Sequence, residues 1–178
     1  SWEIIENFRI VAPDNLKRIV VGVDPSGTSN KSSDEAGIVV AGQDVNGHVY
    51  ILADESGVMS PNEWAEKAVR LYHLNKADRI VAEVNMGWDM VENTIRTIDK
   101  TVPVKKVVAS RGKMLRAEPV VALYEQGRVH HTQKFKELEE EMTEWDYKNS
   151  TYSPDRIDAL VYAVTELAIK DNVDFFVL

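Results

Sequence analysis

The sequence predicts an α/β fold in which a mixed five-stranded sheet is flanked by helices. Near the start of the chain, three apolar segments of strand length follow one another through short polar connections. An Asn-Gly pair at residues 46–47 joins two of these segments and favours a hairpin. Beyond residue 60, helical segments alternate with short apolar segments, a pattern typical of parallel strands joined by helices. We therefore expect three antiparallel strands followed by parallel ones.

Each predicted strand is a short apolar run, and the runs lie at residues 18–24, 36–43, 48–53, 79–84 and 104–109. The first run is apolar at most positions, as in a strand that is buried on both faces, and it ends in Asp24. The last two runs are separated by a helical segment, so we expect them to join the sheet as parallel strands.

The helix that follows the third strand has the clearest start signal in the chain. Ser60 can cap this helix, Pro61 suits its first turn, and Glu63 stands at the position that completes a capping box. The apolar stripe of the helix consists of Trp64, Ala68, Leu71 and Leu74. Further helices are predicted at residues 89–98, 111–126, 134–145 and 154–170.

Length and composition restrict the class of protein. A chain of 178 residues with 44% hydrophobic residues suits one domain with a real core. We predict this domain at residues 18–170, between a lead-in at 1–17 and a tail at 171–178. No apolar run approaches the roughly 20 residues that cross a bilayer, and the acidic start lacks the features of a signal peptide. The absence of cysteine excludes disulfides and thiolate metal sites, and fits a reducing compartment.

The chain is acidic, with a formal net charge of −8 and a pI of about 5.0. This charge argues against a domain that grips DNA by itself through a broad basic surface. It does not exclude a nuclease, because bound cations can cancel the charge of a carboxylate-rich site and other domains can supply the grip.

Three acidic residues fall where a charge is costly. Asp24 ends an apolar strand, Glu83 interrupts another, and Asp158 lies in the first turns of the last helix. Each has an ordinary structural explanation: a turn at a strand end, an ion pair with Arg or Lys, and a favourable helix dipole. Together they are more informative, because the carboxyl ends of neighbouring parallel strands meet at one edge of a sheet.

A closing helix can bring Asp158 to that edge, with Asp155 three residues earlier on the same helix face. Three carboxylates cannot remain ionised within a few ångströms of one another without nearby positive charge. Because the available ligands are oxygens, with no cysteine and only 4 histidines, the pattern favours Mg²⁺ or Mn²⁺ over Zn²⁺.

Four segments resemble the nuclease domain of phage terminase large subunits, and they occur in the order found in that family. They are residues 20–27 (VVGVDPSG), 81–85 (VAEVN), 113–129 (KMLRAEPVVALYEQGRV) and 154–163 (PDRIDALVYA). The resemblance implies a ribonuclease-H-like fold and an endonuclease that cuts concatemeric viral double-stranded DNA during genome packaging. It also implies that Asp24, Glu83 and Asp158 are the catalytic acids and hold two Mg²⁺ or Mn²⁺ ions.

The resemblance further implies partners and auxiliary acids. In this family an ATPase motor precedes the nuclease in the same chain. This sequence contains no phosphate-binding Walker loop and no initiator Met, so we expect the motor on a missing N-terminal part. A portal and a small terminase subunit are implied as partners, in the cytoplasm of a bacterial host. Asp34 is similar to an extra acid of some members, and Asp155 has a comparable auxiliary status.

A locally basic stretch stands out in this acidic chain, and it predicts contacts to DNA phosphates beside the site. Its members are Lys105, Lys106, Arg111, Lys113, Arg116 and Arg128. An ordinary solvated helix face explains the same residues. His130 and His131 follow a possible short strand, and a structural role is the more common one for such histidines.

The expected reaction is hydrolysis of a phosphodiester between two cations about 3.5–4 Å apart. Asp24 is expected to bridge both cations because it lies on the first, central strand, with Glu83 and Asp158 on either side. Three alternatives stay open from the sequence. One is an actin-like ATP-binding fragment, because residues 24–28 resemble a phosphate loop, although Pro25 and Ser26 stand where that loop usually has glycine. The others are a Holliday-junction resolvase and a non-catalytic binding module.

Overall fold

The computed structural model describes residues 1–25, 35–84, 90–108, 113–150 and 153–169, without the side chains of 113–115. The strands are β1 (Arg18–Asp24), β2 (Glu35–Gln43), β3 (Val49–Asp54), β4 (Gly57–Val58), β5 (Arg79–Val84), β6 (Val104–Val108) and β7 (Val129–His131). The helices are α1 (Trp2–Asn7), α2 (Pro61–Leu74), α3 (Met90–Ile98), α4 (Lys113–Glu125), α5 (Lys136–Glu144) and α6 (Asp155–Ala168). Among the described residues, no helix combines the length and the apolar character that a membrane crossing demands.

The strands form one mixed sheet in the order β6-β5-β1-β2-β3-β7, and β4 pairs with β2 off this path. β1, β2 and β3 are antiparallel neighbours, whereas β5 and β6 run parallel to β1. The predicted fold class is therefore confirmed: an antiparallel meander extended by parallel strands. The predicted count of five strands was wrong, because β4 and β7 have only two and three residues and give no periodic signal.

Two hydrophobic cores lie on the two faces of this sheet because successive side chains of a strand point to opposite sides. Val20 in β1 belongs to the core beneath α4, α5 and α6, whereas Val21 and Val23 belong to the core beneath α2 and α3. All three valines are fully buried, as expected for a central strand covered on both faces.

Helix α6 lies unusually close to the centre of the sheet because two glycines leave room for its backbone. A Cβ atom on Gly22 would stand 2.2 Å from the carbonyl oxygen of Ala159, and one on Gly37 would stand 2.0 Å from that of Asp155. Both separations are far below van der Waals contact. The first two turns of α6 therefore rest directly on β1 and β2.

Helix α1 lies within residues 1–17, the segment predicted to be a lead-in, and it packs on the domain. Ile5 is 5% exposed and belongs to the same core as α6. Arg9 extends this attachment with an ion pair to Glu139 on α5, at 2.7 Å. The tail at 171–178 lies outside the described residues, and the domain boundaries stay a prediction.

Candidate metal centre

The register of β1 and β5 brings Asp24 and Glu83 together. These strands pair in parallel, and the last matched pair is Val23 with Ala82, so the next residue on each strand is an acid. Side chains alternate between the two faces of a strand. Glu83 therefore shares a face with Val81, and Asp24 shares a face with Val20, and both valines belong to the core beneath α6. Both carboxylates thus leave the sheet at its carboxyl edge and on one side.

Helix α6 adds the third acid. Asp158 immediately precedes Ala159, the residue whose carbonyl oxygen lies over Gly22, so the close contact of α6 with β1 fixes the position of Asp158. One carboxylate oxygen from each of Asp24, Glu83 and Asp158 lies within 4.8 Å of the other two. Asp24 and Asp158 are only 2% and 3% exposed. The three acids therefore form a compact, largely buried cluster, which we call the acid cluster.

In the part of the chain that the structure describes, the hydroxyl groups of Ser153 and Tyr162 donate hydrogen bonds to the acid cluster. Ser153 Oγ donates to Asp158 Oδ2 at 2.8 Å, and the hydroxyl of Tyr162 donates to Glu83 Oε1. Burial raises the pKa of Tyr162 far above its usual range, and the charges of Glu83, Asp158 and Asp24 raise it further. The Tyr162 hydroxyl therefore keeps its proton and acts as a donor.

The acid cluster has the donor chemistry and the size of a site for hard divalent cations. Its donors are carboxylate oxygens, which Mg²⁺ and Mn²⁺ prefer. Two ligands of one octahedral Mg²⁺ stand about 3–4.2 Å apart, given metal–oxygen distances of about 2.1 Å. The separations in the cluster stay within 4.8 Å, close to this range. Small side-chain shifts would therefore let these oxygens share one cation or a pair.

Of the two auxiliary acids the structure describes only Asp155, which is not a member of the acid cluster. Asp155 is the first residue of α6, and among the described residues the cluster that could hold a metal contains only Asp24, Glu83 and Asp158. Asp34 lies outside the described residues. A role for either residue in metal binding stays a prediction.

Two of the predicted DNA contacts, Lys105 and Lys106, point to opposite faces of the sheet. Lys105 forms an ion pair with Glu166 at 2.8 Å, on the side of α6, and Lys106 forms one with Glu92 of α3 at 3.3 Å, on the other side. This divergence follows from their adjacency in β6, because neighbouring residues of a strand alternate in direction. The two lysines therefore do not form one basic surface beside the acid cluster.

Arg116 and Arg128 lie at opposite edges of the sheet. Arg116 donates to the carbonyl oxygen of Val108 at 3.1 Å, which holds it near the carboxyl end of β6, the sheet edge that also carries the acids. Arg128 donates to the carbonyl oxygen of Asn46 in the β2–β3 turn, at the opposite edge. Arg111 and the side chain of Lys113 lie outside the described part of the chain.

His131 belongs to a buried polar network distant from the acid cluster. β7 is separated from β1 by two strands, about 14 Å across the sheet at about 4.8 Å per strand. His131 Nδ1 contacts Glu139 Oε2 at 2.8 Å, and its Nε2 contacts the hydroxyl of Tyr124 at 2.8 Å. Burial lowers the pKa of His131, so the neutral imidazole donates to Glu139 and accepts from Tyr124. These contacts favour a structural role for this histidine.

Glu139 holds that network together. Burial alone would raise its pKa, but hydrogen bonds from Arg9, from His131 and from the backbone N–H of Phe135 lower it to about 2. Its carboxylate therefore stays ionised and joins Arg9, which follows α1, to β7 and α5. The neighbouring His130 contacts His48 at 2.7 Å and stacks on Tyr50, which is also a packing role.

Ser153 and Tyr162, which donate to the acid cluster, were not predicted from the sequence. Tyr162 follows Asp158 by four residues, a spacing that puts both on one face of a helix, so part of the signal was present. Its acceptor, Glu83, is 79 residues away in the chain. Only the packing of α6 against β5 reveals that contact.

Comparisons with known proteins place this chain among terminase domains. The family described as Terminase RNaseH-like domain matches residues 21–167. No curated protein sequence matches the chain. Several solved structures are similar to it. One is the human cytomegalovirus terminase nuclease domain, soaked with manganese and with an inhibitor bound. Its TM-score is 0.70 at 16% sequence identity, and the similarity covers 94% of this chain and 93% of that one.

Two phage structures share the fold. The large terminase of bacteriophage HK97 has a TM-score of 0.70 at 12% identity, over 93% of this chain and 43% of that one. The large terminase nuclease of thermophilic phage G20c with bound magnesium has a TM-score of 0.59 at 15% identity, over 89% and 85% of the two chains. At such identities the similarity establishes the fold alone. Because the family match spans most of the sequence, this chain belongs to the family of terminase ribonuclease-H-like domains.

Proposed function

We propose that this chain is the nuclease part of a terminase large subunit and that it hydrolyses phosphodiester bonds of double-stranded DNA. In this proposal Asp24, Glu83 and Asp158 hold two Mg²⁺ or Mn²⁺ ions. The observation that carries it is the convergence of three carboxylates from β1, β5 and α6 within 4.8 Å. Membership of the terminase family supports the substrate class.

Each acid has a distinct part in the mechanism. Asp24 lies at the end of the central strand, so it is the residue best suited to bridge two cations, with Glu83 and Asp158 holding one side each. Bound cations would activate the attacking water and stabilise the leaving 3′-oxygen. Burial of Asp24 and Asp158 strengthens their attraction for cations, because water screens these charges poorly. Ser153 and Tyr162 restrict the orientations of the carboxylates that they contact.

The biological substrate in this proposal is concatemeric viral DNA, cut at the start and end of packaging in the cytoplasm of a bacterial host. An ATPase motor in the same full-length chain, a portal and a small terminase subunit are the proposed partners. The similarity to the HK97 large terminase supports the proposal that the nuclease is one part of a longer chain. The similarity covers only 43% of the HK97 chain, so most of that chain lies outside the nuclease fold.

The charge of the chain bears on how DNA would be held. With a net charge of −8, the isolated domain should bind DNA weakly and mainly where cations have neutralised the acid cluster. Arg116 is the described basic residue with the best position for a phosphate contact, because it lies at the carboxyl edge of the sheet. In the full-length chain the motor would contribute most of the remaining affinity for DNA.

A plasmid-nicking assay tests the proposal. Wild-type protein with Mn²⁺ or Mg²⁺ should convert supercoiled plasmid to nicked and linear forms, and chelation should stop the reaction. Asp24→Asn should abolish cutting while the circular dichroism spectrum stays unchanged. Asp14→Asn is the matched control: it removes one carboxylate charge at an exposed position and should cut normally. Near-normal cutting by Asp24→Asn, or no cutting by wild type with either metal, would overturn the assignment.

A further inference from the structure

We propose that Tyr162 is a positioning residue that holds the Glu83 carboxylate in the orientation required for cation binding, an inference that rests on the proposed function. Tyr162 is 3% exposed, and its hydroxyl donates to Glu83 Oε1.

Glu83 needs such a restraint more than the other two acids do. It is the only glutamate of the acid cluster, so its carboxylate has one more rotatable bond than those of Asp24 and Asp158. It is also only half-buried, whereas the two aspartates are almost fully buried. Burial therefore restricts the Glu83 carboxylate less than it restricts the carboxylates of the two aspartates.

Tyr162 can supply the restraint because its own position is fixed. Tyr162 and Asp158 are separated by one turn of α6 and share a helix face. That helix rests directly on β1 at Gly22, so one rigid element delivers both a carboxylate ligand and the hydroxyl that orients the next ligand. A carboxylate has about four acceptor positions, so the bond from Tyr162 leaves Glu83 able to bind a cation.

Removal of the hydroxyl alone tests this role. Tyr162→Phe keeps the ring that fills the core but no longer fixes Glu83. We expect its Mn²⁺ dissociation constant to rise about 10- to 100-fold, the usual effect of losing a hydrogen bond to a metal ligand. The Mn²⁺ concentration for half-maximal cutting should rise in parallel, and excess Mn²⁺ should restore most of the cutting rate. The dissociation constant is measured by titration, with free Mn²⁺ detected by electron paramagnetic resonance.

Tyr124→Phe is the matched control, because it also removes one hydroxyl from a buried tyrosine, but one that contacts His131. It should lower the melting temperature without changing Mn²⁺ affinity. In a Glu83→Gln background, Tyr162→Phe should change Mn²⁺ affinity less than about twofold, because the amide no longer serves as the ligand that Tyr162 orients. This second comparison separates positioning from a general loss of stability.

The possible outcomes separate this inference from the proposed function. If wild type binds Mn²⁺ through Asp24 but Tyr162→Phe binds it within twofold of wild type, the positioning role is wrong and the proposed function stands. If wild type shows no Mn²⁺ binding that Asp24→Asn removes, both fail. An equal loss of affinity in Tyr162→Phe and Tyr124→Phe would also overturn the positioning role.

Discussion

The close approach of α6 to β1 can be tested at one atom, by Gly22→Ala. The new Cβ would stand 2.2 Å from the carbonyl oxygen of Ala159 and 3.1 Å from the Cβ of Ala163. Because carbon–oxygen contacts need about 3 Å or more, α6 must retreat from the sheet by about 0.8 Å. Asp158 is the residue before Ala159, so it moves with the helix by nearly the same distance.

This displacement is small for the fold but large for a metal site. Overpacking a core costs about 1–3 kcal/mol, and each kcal/mol lowers the melting temperature of a domain of this size by about 2–4 °C. Metal–ligand distances tolerate only about 0.2 Å, so a shift of about 0.8 Å in one of three ligands should weaken Mn²⁺ binding at least about 10-fold. Cutting should fall about 100-fold, as expected for a misplacement near 1 Å.

Thermal melting, Mn²⁺ titration and plasmid nicking on the same preparation measure these effects. Gly57→Ala is the matched control, because a Cβ atom there meets no other atom within 4 Å. It should behave as wild type in all three assays. A Gly22→Ala variant that binds Mn²⁺ and cuts DNA as wild type does would refute the claim that this contact positions Asp158.

Three further predictions concern metal, charge and pH. Mn²⁺ at about 100 times its dissociation constant should stabilise the wild type by about 2.7 kcal/mol, and Asp24→Asn should lose this stabilisation; an equal melting shift in both proteins would contradict it. Lys105→Met should lower the melting temperature, because Glu166 loses one of its cationic partners, and leave DNA affinity within about twofold in a binding titration; a large loss of affinity would instead support the predicted DNA contact. The folded-state pKa of His131 is lowered by burial, so the unfolded chain takes up the proton first and stability falls as the pH drops below about 6.5. Urea unfolding should therefore show a steeper loss between pH 7.5 and 5.5 in wild type than in His131→Gln, and identical slopes would contradict the lowered pKa.

The elements that the sequence predicts well are those with strong local signals. Helix α2 begins at Pro61 as predicted, and its capping box forms. Ser60 Oγ accepts a hydrogen bond from the backbone N–H of Glu63, and the Glu63 carboxylate accepts one from the backbone N–H of Ser60. Strands β1 and β5 have the predicted bounds because each is a clear apolar run. Local patterns such as these depend on few neighbours.

Other features depend on contacts between distant segments, which a single sequence does not reveal. The adjacency of Asp24 and Glu83 follows from the register of β1 with β5. The sequence predicts parallel strands, but it does not reveal that these two strands are neighbours or how they are aligned. The role of Tyr162 depends on that same packing. The opposite directions of Lys105 and Lys106 do not depend on distant contacts, because adjacent residues of a strand always point to opposite faces of the sheet.

The most direct test is a crystal structure of the chain soaked with Mn²⁺, with anomalous scattering used to locate the ions. We expect two ions about 3.5–4 Å apart, with Asp24 bound to both and with Glu83 and Asp158 each bound to one. Anomalous peaks only at other positions, or a soaked crystal in which the three carboxylates hold no ion between them, would contradict it.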